Sequence, residues 1–180
     1  MTRLTVNDIF ESYVSRYGDD HVHRQTGTPF RGYPGHHYFV GRRVSNEHLA
    51  QISFRSRHAE AALIKMNDAY IVSIGNTGVA TATIVVPAQA ARQQGIEEYR
   101  WIAHTHPLEQ ESADQGVARG PTGADFRALE QLHHRGWGQN ESVVIVCRGG
   151  RVIEVVPFRR EPPALTHGRE DLLRSFRLEP

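Results

Sequence analysis

His104-Thr105-His106-Pro107 is the segment whose residue types and spacing come nearest to a chemical device. Side chains two positions apart on a strand point to the same side, so His104 and His106 can present two imidazoles to one ion. Downstream, Pro121-Thr122-Gly123-Ala124-Asp125 reads as the opening of a helix. A carboxylate in the first helical turn is favoured by the helix dipole. Two imidazole nitrogens and the Asp125 carboxylate would leave the fourth corner of a tetrahedron open, as in catalytic zinc sites and unlike closed structural ones. The chemistry implied is hydrolysis at zinc.

The conjunction is more specific than a bare His-x-His. His-x-His-Pro follows a hydrophobic strand directly, and a hydroxyl residue three positions before Asp125 opens an amphipathic helix. This arrangement resembles the JAMM motif of the JAB/MPN+ metalloprotease family, and in outline its prokaryotic JAB and RadC-like branch. In that motif an upstream glutamate precedes His-x-His-Pro and a later Ser-x-x-Asp. The resemblance covers residues 55–157 and implies one JAB/MPN-like α/β domain. That domain would be a mixed, mostly antiparallel sheet flanked by helices with the layering of the cytidine deaminases. Residues 1–54 would be an N-terminal helix and loop extension, and 158–180 a C-terminal tail.

Carried over by position, the resemblance makes His104, His106 and Asp125 the zinc ligands. It makes Glu60, at the head of a strand, the general base that takes a proton from the attacking water. Glu97, Glu98, Glu109 and Glu111 are rivals for that role. Thr122 stands where the family has serine, and the resemblance assigns it to the oxyanion of the tetrahedral intermediate. The same residue also fits a helix N-cap, with Asp125 three positions on. The stretch from Leu108 to Pro121 is about twice the family's usual spacing and is polar, an insertion of modest entropic cost. The function implied is a zinc-dependent hydrolase cleaving a peptide or isopeptide bond, with the tail of a ubiquitin-like protein as a substrate class. A rival of another class is a non-catalytic MPN-like interaction domain within a larger toxin or defence assembly.

These residues need elements to hold them. Ile9, Phe10, Tyr13, Val14 and Tyr17 form one apolar helical stripe, and a Gly- and Pro-bearing loop follows from Asp19 to His37. A short strand at Tyr38 to Val40 precedes a brief helix from Asn46 to Ile52 capped by Ser45. Ala59 to Met66, Tyr70 to Ile74 and Val79 to Val86 read as an antiparallel meander, and Pro87 opens a helix through Gln94. Tyr99 to Ala103 is a buried strand leading into His104, a loop runs from Leu108 to Gly120, and a helix spans Thr122 to His134. Ser142 to Cys147 and Val152 to Val156 then form a hairpin across Arg148-Gly149-Gly150-Arg151.

Composition limits the alternatives. With 21 Lys and Arg against 20 Asp and Glu the net charge is +1, which excludes a polybasic nucleic-acid arm as the main theme. No apolar run is long enough to span a bilayer, so no membrane partner is expected, and a cytoplasmic location follows as the expectation. Cys147 is the single cysteine, so neither an internal disulfide nor a multi-cysteine zinc knuckle can form. Within an apolar strand it reads as an inert buried thiol. The glycines from Gly27 to Gly35 lack the Gly-Lys-Ser/Thr ending of a phosphate loop. His133 and His134 fall near a helix C-terminus, where positive charge is favourable without any metal.

Overall fold

The computed structural model describes residues 24–25, 30–40, 42–75, 88–89, 91–93, 95–110 and 119–160. The expected helix over Ile9 to Tyr17, the strand over Val79 to Val86, the chain from 161 onward and residues 111–118 of the insertion lie outside them. The described residues form an α/β fold built on one mixed sheet. Its strands are β1 (Arg24–Gln25), β2 (His37–Val40), β3 (Ala61–Met66), β4 (Ala69–Ile74), β5 (Tyr99–Pro107), β6 (Glu141–Arg148) and β7 (Arg151–Arg159). They lie in the order β1-β2-β4-β3-β5-β6-β7. The pairs β1/β2 and β5/β6 are parallel and the other neighbours antiparallel, so the expected mostly antiparallel sheet is present.

Each face of the sheet carries a helix because the strands alternate apolar residues to both sides. On one face, α1 (Asn46–Arg55) buries Leu49 and Ile52 against Leu63, Val72, Ile74, Ala103 and Ile145. Ser45 caps α1, its hydroxyl accepting the His48 N–H at 3.2 Å. On the other face, α2 (Gly123–Leu132) buries Ala128, Leu129 and Leu132 against Ile64, Met66, Trp101, Val144 and Val146. Ala88 and Ala91, from helical residues 88–89 and 91–93, join this second cluster. β2 and α1, which precede residue 56, are thus built into the same sheet and core as the rest.

Two turns follow from local chemistry. Asn67 turns β3 into β4 at φ +47°, a left-handed conformation that Asn tolerates better than most residues. Gly149 (φ +58°) and Gly150 (φ +75°) join β6 to β7, the pair of positive φ angles a tight two-residue hairpin needs. The helix expected through His134 is regular only to Leu132. It continues as a wider π-type turn, His133–Trp137, which Gly138 ends in the left-handed conformation. At the far end of β7, Arg160 grips both carboxylate oxygens of Glu130 at 2.7 and 2.9 Å and so ties the sheet edge to α2.

β5 departs from its expected bounds in a way that matters below. It runs on to Pro107, because residues 104 to 107 pair in parallel with Val144 to Cys147 of β6. Its register against β3 also slips: Leu63 faces Ala103, but Ile64 faces Trp101. Ile102 is therefore an extra residue, and both it and Ala103 lie on the α1 face. Without this bulge Trp101 and His104, an odd number of residues apart, would point to opposite faces.

Candidate metal centre

The bulge sets the aim of the two histidines. After it, His104 and His106 share the α2 face with Trp101, whose ring centroid lies 4.7 Å from that of His104. On the other edge of β5, ahead of its first pair with β6, Gln139 takes the place of a strand. Its side-chain amide accepts the Trp101 N–H at 2.8 Å and donates to the Trp101 carbonyl at 2.5 Å, as a neighbouring strand would. The Ser142 hydroxyl donates to the same carbonyl at 3.1 Å. Phe158 packs edge-on against Trp101 and, with Phe126, completes an aromatic floor beneath His104.

The third member arrives on the connection between the parallel strands β5 and β6. Such strands require a crossover, here α2, and the N-terminus of that helix comes to lie at the C-terminal end of β5. Asp125, in the first turn of α2, turns its carboxylate inward. His104 Nε2 lies 3.0 Å from Asp125 Oδ1, His106 Nε2 3.3 Å from Asp125 Oδ2, and the two Nε2 atoms 2.9 Å from each other. His104, His106 and Asp125 are 1%, 4% and 1% exposed, so this polar cluster is almost wholly removed from bulk water.

The group fits a metal ion. Donors bonded at about 2.0–2.1 Å to a tetrahedral zinc stand about 3.3 Å apart, near the separations of 2.9, 3.0 and 3.3 Å found here. Among the described residues, these three side chains form one group of His, Cys, Asp and Glu close enough to share an ion. Burial alone would raise the Asp125 pKa. Hydrogen bonds from both imidazoles, the charge on His104 and the Thr122 amide outweigh it and hold the carboxyl well below the usual carboxylate range. The Asp125 carboxylate is therefore ionised at neutral pH.

Thr122 orients that carboxylate. Its backbone N–H donates to Asp125 Oδ2 at 2.8 Å as part of a capping box, and its hydroxyl donates to the same oxygen at 3.1 Å. Thr122 is also the N-cap of α2, as expected, and with Asp125 it forms the capping box. Oδ1 stays turned to His104.

Glu60 stands on the accessible side, with Oε1 3.8 Å from His106 Nε2 and its side chain 36% exposed. Burial shifts its pKa upward, the imidazoles of His104 and His106 oppose that shift, and the negative charge of Asp125 adds to it. The fold brings Glu60 to the histidines through β3, whose Ala62 pairs with His104.

Three of the four rival glutamates are placed elsewhere. Glu98 lies beyond the start of β5, where it pairs with Lys65 at 3.1 Å and borders a cavity of about 1040 Å³ with Arg100, Trp137 and Arg159. That cavity sits at the opposite end of β5 from the histidines. Glu97 is exposed and close to Glu98, and Glu111 lies outside the described residues. Glu109 Oε1 accepts the Gly149 N–H, while Oε2 sits 3.8 Å from His58 Nδ1. The expected loop from Leu108 begins instead as a 3-10 turn, Leu108–Gln110, with Leu108 in the core, so the insertion is anchored at its root. Cys147 is buried, and that burial, with the charge of Glu109, pushes its thiol up to about 12.

Thr105 and Gln139 carry structural duties around the site that the sequence pattern did not mark. Thr105 stood between two ligand candidates, and strand alternation already sends it to the other face. Gln139 had no local signal.

Comparison with family models, with curated proteins and with solved structures finds no match to this chain.

Proposed function

We propose that the chain is a zinc-dependent hydrolase of the JAMM type, cleaving a peptide or isopeptide bond. The observation that carries this is the buried convergence of two imidazole Nε2 atoms and one ionised carboxylate, with a second, partly exposed carboxylate 3.8 Å from His106. His104, His106 and Asp125 would hold the zinc ion, which would supply Lewis acidity, lowering the pKa of a water to about 7 and polarising a carbonyl. Glu60, whose carboxylate lies 3.8 Å from His106 Nε2, takes the proton of the attacking water. The same carboxyl then hands that proton to the departing amine nitrogen. Thr122 keeps Asp125 turned to its task, and its hydroxyl is the nearest counterpart of the family's oxyanion donor.

The JAB/MPN resemblance supplies the substrate class, a bond following the tail of a ubiquitin-like protein. Such substrates, together with a free buried Cys147, fit a cytoplasmic protein. Among the described residues no helix is long and apolar enough to cross a membrane.

Two measurements test the proposal. Metal analysis of the purified chain is expected to find about one zinc. A ubiquitin-like protein joined at its C-terminus to a fluorogenic amine is expected to release that amine, and chelation is expected to stop the release. A chain that purifies without zinc and takes none up is the interaction-domain alternative, and the hydrolase proposal then falls.

A further inference from the structure

Thr105 lies between the two histidines and is fully buried, yet nothing in the chemistry above uses it. Its Oγ1 accepts the Ala61 N–H at 2.9 Å. The carbonyl of the same peptide unit, Glu60 O, accepts the Gly75 N–H at 2.7 Å. The Glu60–Ala61 peptide is therefore held at both ends, from β5 on one side and from the end of β4 on the other. The fit on the β4 side is close: a Cβ on Gly75 would stand 3.3 Å from Glu60 O and 3.4 Å from Glu60 Cβ. The β3/β5 ladder has its last pair at Ala62 and His104, so the Thr105 hydroxyl does for Ala61 what the backbone of β5 does further along. With that peptide plane fixed, the Cα that carries the Glu60 side chain is held in place, and its carboxylate lies 3.8 Å from His106 Nε2.

We infer that Thr105 is a positioning residue for Glu60, acting through the Ala61 amide and not through the metal. The inference rests on Glu60 being the proton carrier. Valine has nearly the shape of threonine but no acceptor, and serine restores the acceptor. In the zinc-loaded full chain, Thr105→Val is expected to speed amide exchange at Ala61 at least about tenfold while Leu63 and Ile64 exchange as before.

With the same fluorogenic probe, kcat is expected to fall by about 10- to 100-fold, the scale of a small misplacement of a reacting group. KM should change less than about twofold and zinc should stay near one equivalent, as for a group acting only in the chemical step. Thr105→Ser should recover most of kcat. Unchanged Ala61 exchange overturns the inference, as does faster exchange with kcat intact, or equal loss of zinc and activity in both variants. If the wild-type chain releases no amine, the hydrolase proposal fails on its own. A crystal of Thr105→Val then decides the clamp, since a Glu60 carboxylate still at its wild-type distance from His106 overturns it.

Discussion

His104→Ala and Asp125→Ala each remove one of three protein donors held 2.9 to 3.3 Å apart, and two donors do not make a lasting zinc site. Both variants are expected to purify with little zinc, and metal analysis beside wild type decides it; full occupancy in either variant would sink the ligand assignment. Glu60→Gln preserves shape but accepts no proton at neutral pH. It should keep its zinc and lose turnover by about 100-fold or more, the scale of general-base catalysis. A fully active Glu60→Gln enzyme would send the search to another carboxylate. The two histidines and Asp125 were legible in the sequence because strand alternation and helix-start chemistry act over a few residues. Glu60 was legible only by analogy, since its place beside His106 depends on β3 pairing with a strand far along the chain.

At the scale of elements, β5 shows where sequence reading ends. Its apolar start was readable, but its extension to Pro107 comes from parallel pairing with β6, and its bulge at Ile102 carries neither Gly nor Pro to announce it. The same holds for Gln139, a polar residue in a turn that becomes a two-pronged partner for the Trp101 backbone. Gln139→Ala leaves the buried Trp101 N–H unpaired, while the carbonyl keeps Ser142. Such a loss costs about 1–3 kcal/mol, to be read from urea unfolding of wild type and variant. Because the bulge precedes His104 directly, zinc affinity should fall in the same variant. Full stability with unaltered zinc binding would show that β5 holds Trp101 without Gln139.

At the scale of the whole molecule, stability depends on pH through a histidine far from the metal group. His37 is buried on β2, its Nδ1 2.6 Å from the Ser73 hydroxyl across the pair with β4. Burial, and then the charge of neighbouring His36, lower its pKa from 6.5 to about 3. Below 6.5 the unfolded chain binds this proton and the folded chain does not. The stabilisation is therefore complete above the unfolded pKa and declines as pH falls toward 3. Its slope is at most about 1.4 kcal/mol per pH unit. His37→Gln should flatten the unfolding free energy between pH 6.5 and 4 relative to wild type, measured by denaturant titration at each pH. Parallel curves for the two proteins would remove His37 as the cause.

The crossover from β5 through α2 to β6 also has a meaning in time. All three candidate metal donors belong to one strand and the helix that follows it, whereas Glu60 joins them only when β3 docks on β5. Short loops close sooner than long ones, and contacts distant in sequence form late. During refolding the chain should therefore capture zinc before it can turn over substrate. A zinc-sensitive dye read in parallel with amine release after dilution from denaturant would show a lag between the two. Simultaneous onset would mean that the donors and Glu60 fall into place in a single step.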